Sequence, residues 1–197
     1  MLKFIKILRQ AFFKTLDKNF FSQFGEDRIL NEIFISSKTN GFYVDVGCYH
    51  PIKHSNTYRF HKKGWSGINI DIERDKIQVF NLTRKSDHNV LAPVSSTSEI
   101  VKIYKTQNYG VGTTTKKEFI KKQGEIIETN SLKSQTLNYI IENSPFNNKE
   151  IDLLSIDTEG TDFDVLKSLD LKKYCPKVIV IESHRDRIED IINSDIY

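Results

Sequence analysis

Residues 42–51 read FYVDVGCYHP, and residues 66–72 read SGINIDI. Each begins as a short run of strand-forming residues and carries an acid near its end, Asp45 just ahead of Gly47 in the first and Asp71 in the second. Between them NTYRFHKKG (56–64) has helical character and a closing Gly64, so the unit reads as strand, helix, strand. A glycine at the end of the first strand lets the backbone turn tightly and come close to a ligand. Asp71 stands 24 residues beyond Gly47 (71 − 47), where an acid in such a unit grips ribose hydroxyls. Together the two stretches describe a nucleoside-binding crevice.

The alternation continues outward. RDKIQVFNLTR (74–84) reads as a helix, HNVLAPV (88–94) as a third strand and EIVKIYKT (99–106) as a strand with one wet face. SQTLNYIIENS (134–144) is helical, IDLLSID (151–157) a fourth buried strand, TDFDVLKSLD (161–170) a short helix and PKVIVIE (176–182) a fifth strand. Upstream, Ser22 caps a helix over FGEDRILNEIFISS (24–37) with Phe24, Ile29, Leu30 and Ile33 inward. Residues 106–117 are polar and contain Gly110 and Gly112, hence a loop. Short apolar strands alternating with helices predict an α/β fold with a doubly wound parallel sheet, whose ligands sit outside the carboxyl ends of the strands. Four of the five strand ends carry an acid, which apolar packing does not explain.

The chain has 197 residues and a net charge of +3 (29 − 26), which suits one domain and argues against nucleic acid as partner. Cys48 and Cys175 lack metal or redox spacing, so a reducing compartment is expected. Residues 1–21 place Leu2, Ile5, Leu8, Phe12 and Leu16 among Lys3, Lys6, Arg9, Lys14 and Lys18, a basic amphipathic helix ahead of a domain over 22–197. It is too charged to span a bilayer and has no secretory apolar core. Either it packs on the domain or on a second copy in a homo-oligomer, or residues 1–19 rest on an anionic membrane surface. The expected location is cytoplasmic, with the inner membrane face as the peripheral variant.

Neither GxGxxG nor GxxxxGK[ST] occurs, so a pyrophosphate cradle is unsupported. A nucleoside ligand without phosphate fits better, and S-adenosylmethionine is the commonest. SQFGEDRIL (22–30), FYVDVGCYHP, SNTYRFHKKGWSGINID (55–71), SQTLNYII (134–141), IDLLSIDTEGTDFDVLKSLDL (151–171) and PKVIVIE follow one another in an order that resembles the FkbM family of methyltransferases. The resemblance implies a Rossmann-like class I methyltransferase fold, S-adenosylmethionine as cofactor and methyl transfer to an oxygen of a saccharide or glycan-like acceptor, as in bacterial polysaccharide biosynthesis. By that resemblance Asp45 and Gly47 surround the methionine part of the cofactor, Asp71 holds the ribose, and Asp157 and Glu159 of the DxEG motif border the methyl.

Cys48 and Ile72, flanking these acids, complete the cofactor set. The turn departs from the family pattern, with Cys48 where many members have Ala and no second glycine in CYHP. The chain also leaves little after Glu182 for the antiparallel strand pair that ends such folds, so the sheet is expected to lack it. An acceptor hydroxyl must lose its proton, and His50, Asp157 and Glu159 are the catalytic candidates. Around a hard cation, the acids would be Asp157, Glu159 and Glu182, but their spacing announces no metal site. His54, Asn56, Tyr109, Thr113 and His184 are candidates for binding the acceptor. The alternative to an enzyme is a methyltransferase-like binding or assembly module without turnover.

Overall fold

A computed structural model describes residues 20–35, 40–106, 113–120 and 125–183. The 1–19 segment, Tyr109, His184 and any strand pair beyond Ser183 lie outside the described residues. Five parallel strands form the central sheet in the order β3-β2-β1-β7-β8: β1 (Phe42–Val46), β2 (Ser66–Asp71), β3 (His88–Leu91), β7 (Leu153–Ile156) and β8 (Val178–Ile181). Val44 pairs with Ile68 on one side and Leu154 on the other, and β8 continues from β7 through Leu154 and Ile179. The central strands are buried along almost their whole length, as their apolar runs require.

Alternation along β1 divides two cores. Phe42, Val44 and Val46 pack with Leu137, Ile140 and Ile141 of α5 (Leu137–Glu142) and with Val165 and Leu166 of α6 (Asp162–Lys167). On the opposite face Tyr43 packs with Leu30 of α1 (Glu26–Ile33), Phe60 of α2 (Tyr58–Lys62) and Trp65. Phe34 meets Trp65 edge-on at 5.2 Å between ring centroids, and a Cβ on Gly41 would collide with that indole. Helices therefore cover both faces, as the doubly wound reading expects. α3 (Arg74–Thr83) joins β2 to β3 and buries Ile77 and Phe80.

Two expectations need correction. In α1 only Leu30 of the four predicted inward residues is buried; Phe24, Ile29 and Ile33 are 82%, 67% and 54% exposed. The inward face is instead Asp27 and Leu30, followed by Phe34, and Ser22 accepts from the Gly25 and Asp27 amides while Gly25 takes the cap position. The second correction lies between β3 and β7. There a three-stranded antiparallel sheet is inserted, β5-β4-β6, from β4 (Ile100–Thr106), β5 (Thr113–Thr114) and β6 (Ile126–Lys133). Thr113 and Thr114, read as loop, pair with Lys105 and Tyr104. A four-residue helix, α4 (Lys117–Ile120), follows β5, and α7 (Leu171–Tyr174) precedes β8. No helix among the described residues is long and apolar enough to cross a membrane.

Candidate functional site

The loops leaving β1, β2, β3 and β7 enclose a crevice of about 920 Å³, open solvent at its mouth included. Its floor is set by Gly47. The φ of Gly47 is 78°, and a Cβ there would stand 1.7 Å from the carbonyl oxygen of Asp157, so the position admits only glycine. The Gly47 and Cys48 amides both donate to the Ile70 carbonyl, at 2.9 and 3.1 Å, which ties the turn to β2.

Asp71 lies on the crevice wall beside Ile72, Ala92 and Pro93. One carboxylate oxygen accepts from the Tyr49 amide at 3.0 Å, the other from the Glu73 amide at 2.8 Å, so the group is aimed before any ligand arrives. Lys76, also on the wall, places its ammonium 3.4 Å from Asp71 and 3.1 Å from Glu73, and 4.8 Å from the Tyr49 ring centroid. Burial alone would lower the Lys76 pKa, but the charges of Asp71 and Glu73 outweigh it and the lysine stays charged.

At the other end of the crevice the β7 strand delivers Asp157, Thr158 and Glu159. Burial, then the hydrogen bond and charge of Glu182, push the Asp157 carboxyl up to about 8. Carboxylate oxygens of Asp157, Asp162 and Glu182 lie within 4.8 Å of one another. Asp162 stands where Glu159 was expected in that trio. It is already committed to the loop, accepting from the Thr158 amide at 2.6 Å and the Gly160 amide at 3.1 Å. The non-glycine residues with left-handed backbone among those described are Tyr49, His54, Glu159 and Cys175, and the first three line the crevice. Such strain concentrates where a site must hold side chains in place.

Residues 45–194 match a family model described as the methyltransferase FkbM domain. The chain belongs to the FkbM methyltransferase family. Neither the curated proteins nor the solved structures gave a match.

Of the residues singled out in the sequence of this FkbM protein, Gly47, His54, Asp71, Ile72, Thr113, Asp157 and Glu159 line the crevice. Four do not. Asp45 points to the Tyr43 side of the sheet, where it accepts from the Thr57 hydroxyl at 2.6 Å; burial raises its pKa, partly offset by Thr57 and Arg84. It braces the turn from beneath and does not face the ligand space. Cys48 is a small core residue against Ile77 and Phe80, its thiol pushed well up by burial. Asn56 donates to the Ser155 hydroxyl at 3.2 Å, tying the β1–α2 loop to β7. His50 is buried, and its Nδ1 accepts from the Ile52 and Lys53 amides at 3.1 and 2.9 Å, so this nitrogen builds the turn.

The crevice also holds Gln23, Tyr49, Lys76, Thr115 and Thr161, none of them foreseen as site residues. Gln23 and Tyr49 sit within the quoted SQFGED and CYHP blocks, so a signal was present. Lys76 falls five residues past Asp71 (76 − 71), where a helical turn brings it back beneath that carboxylate.

Proposed function

We propose that the chain is an S-adenosylmethionine-dependent O-methyltransferase of class I type that acts on a saccharide or glycan-like acceptor. The observation carrying this reading is Asp71, a pre-aimed carboxylate beside the apolar slot of Ile72, Ala92 and Pro93 in a crevice with no phosphate loop. That chemistry fits an adenosine whose ribose hydroxyls donate to Asp71 and whose base lies in the slot. Bound there, the cofactor supplies a methyl group activated on a sulfonium.

The chain's own residues do the rest. Gly47 permits close backbone approach, and positioning supplies much of the rate. Near neutrality Asp157 carries a proton that it shares with Glu182, which leaves its other oxygen to accept from an acceptor hydroxyl. Glu159, on the same wall, would take the acceptor hydroxyl's proton, and the C–S bond broken as the C–O bond forms would leave the cofactor as the neutral thioether S-adenosylhomocysteine. The second reading, a binding module without turnover, is favoured by one feature. Tyr49 holds a left-handed φ of 52° and places its ring on the crevice wall, where many members of the family have glycine nearby.

Residues 1–19 carry five cations and one acid, a charge of +4 (5 − 1), so the remainder of the chain is at −1 (3 − 4). This asymmetry supports a cytoplasmic protein that rests on an anionic inner membrane surface, and homo-oligomerisation is its rival. Calorimetric titration with S-adenosylmethionine and S-adenosylhomocysteine tests the cofactor: micromolar binding supports it and silence toward both overturns it. Transfer of labelled methyl into saccharide acceptors separates enzyme from module. Co-sedimentation with anionic vesicles, absent with neutral ones, is the expected result for the membrane contact.

A further inference from the structure

We propose that Gln23 grips the amino-acid end of the cofactor and that Asp27 and Arg59 are positioning residues that present it; this rests on the reading of the crevice as an S-adenosylmethionine site. The turn ahead of α1 is fastened from within. Asp27 is fully buried, accepts from the Ser22 hydroxyl at 2.6 Å and the Ser22 and Phe21 amides at 3.2 and 3.1 Å, and takes Arg59 Nε at 2.8 Å. From outside, the Ser55 amide donates to the Phe21 carbonyl at 3.1 Å, and the Phe21 ring stands edge-on to Tyr58 at 4.8 Å. The turn that carries Gln23 is thus held to the β1–α2 loop at Phe21 and to Arg59 of α2 through Asp27. Gln23 itself is exposed, lines the crevice, and among the described residues has no hydrogen bond on its carboxamide.

Strand order fixes which end of a ligand it meets. Ribose at Asp71 and base at Ile72 and Pro93 place the nucleoside over β2 and β3. The remaining end must then extend over β1 and β7, about 5 and 10 Å further along the sheet. The groups there are Gly47, Asp157, Glu159, His54 and Gln23. An α-carboxylate is repelled by the acids, and Lys76 is engaged at the opposite end by Asp71 and Glu73. A carboxamide offers two donors to a carboxylate and an acceptor to an ammonium, which suits a zwitterionic tail.

The test titrates the full chain with S-adenosylhomocysteine and with 5′-methylthioadenosine, which share the nucleoside and differ in the amino-acid end. In Gln23→Ala the first should weaken roughly tenfold or more, as for one lost hydrogen bond to a charged group, while the second is unchanged. Asp27→Asn should shift the same ratio in the same direction, and its melting curve reports any loss of fold. Equal loss of both ligands in Gln23→Ala, or loss of neither, overturns the inference while leaving the cofactor site standing. If the wild-type chain takes neither ligand, the cofactor reading falls and this inference falls with it.

Discussion

Two polar clusters lie on either side of the crevice, and they handle buried charge in opposite ways. Under β1 and β2, Arg84 is 1% exposed and donates to the Pro51 carbonyl, Ser55, Thr57, Asn69 and Tyr43. Around it Asp45 and Asp87 find donors; although burial would raise the Asp87 pKa, His61, Tyr43, Asn69 and Arg84 outweigh it and hold that carboxyl low, whereas at Asp45 burial prevails over Thr57 and Arg84 and the pKa stays raised. At the ends of β7 and β8, acid faces acid, and Asp157 is driven the other way, to about 8. Where a cation compensates the acids, the cluster is architecture. Where acids are set against one another, one of them holds a proton near neutrality, a perturbation of the kind that clusters at functional sites.

The largest expected effect breaks the first cluster. Arg84→Met keeps an unbranched apolar stem and removes the guanidinium, leaving Asp45 buried without its cation and several acceptors without a donor. A loss of about 3–5 kcal/mol in denaturant unfolding is expected, the cost of opening a buried charged network. A loss under about 1 kcal/mol would show that the cluster does not hold the turn. Next in size is Asp71→Ala on the crevice wall, which should weaken S-adenosylhomocysteine roughly 10- to 100-fold by calorimetry. Asp45→Ala should act differently: it sits beneath the turn, so melting temperature should fall along with affinity.

The contrast also shows what sequence could reveal. The parallel sheet was legible because β1, β2 and β7 are short, largely apolar runs, as strands buried on both faces require. Asp71 and the DTEG acids were legible because they follow such runs. Asp45 looked equivalent, yet two-residue alternation turns it to the Tyr43 face, and only the partner helices decide whether that face is ligand space or core. Arg84 gave no signal, since it comes from the far end of α3 and meets residues of three segments distant in sequence, Tyr43 of β1, the β1–α2 loop and Asn69 of β2. β6 escaped because Glu128–Ser131 is polar and becomes a strand only by pairing with β4. In α1 the apolar periodicity pointed to the wrong face: Asp27 took the inward place beside Leu30 because Arg59 and two backbone amides satisfy it, and Phe24, Ile29 and Ile33 were left outside.

The second cluster makes a prediction about pH. Asp157 has a folded pKa raised to about 8 from an ordinary 3.8, so the folded chain binds a proton that the unfolded chain has released between those values. Its contribution to stability is therefore fully present below about pH 4 and is lost as pH rises through about 8, with a slope of at most about 1.4 kcal/mol per pH unit. Asp157→Asn should flatten this slope in denaturant unfolding measured from pH 5 to 9, and Arg84→Met should leave it in place. A slope that survives in Asp157→Asn would assign the proton to another group and dissolve the contrast.

The smallest effect concerns the inserted sheet, which touches both sides of the crevice. Lys105 of β4 lies 3.1 Å from Glu73, and the Thr113 hydroxyl of β5 donates to the same carboxylate at 3.0 Å. On the β7 side Thr114 donates to the Glu159 carbonyl at 3.0 Å and Lys116 to the Gly160 carbonyl at 2.7 Å. Lys105→Met removes one partly exposed ion pair and should cost only about 0.5–1 kcal/mol, because Lys76 and Thr113 still hold Glu73. Combined with Thr113→Val it should cost more than the sum of the single changes, since each substitution alone leaves the other to dock the sheet. Additive losses in that double-mutant cycle would mean that Lys105 and Thr113 act separately on Glu73 and do not share the docking of the insert.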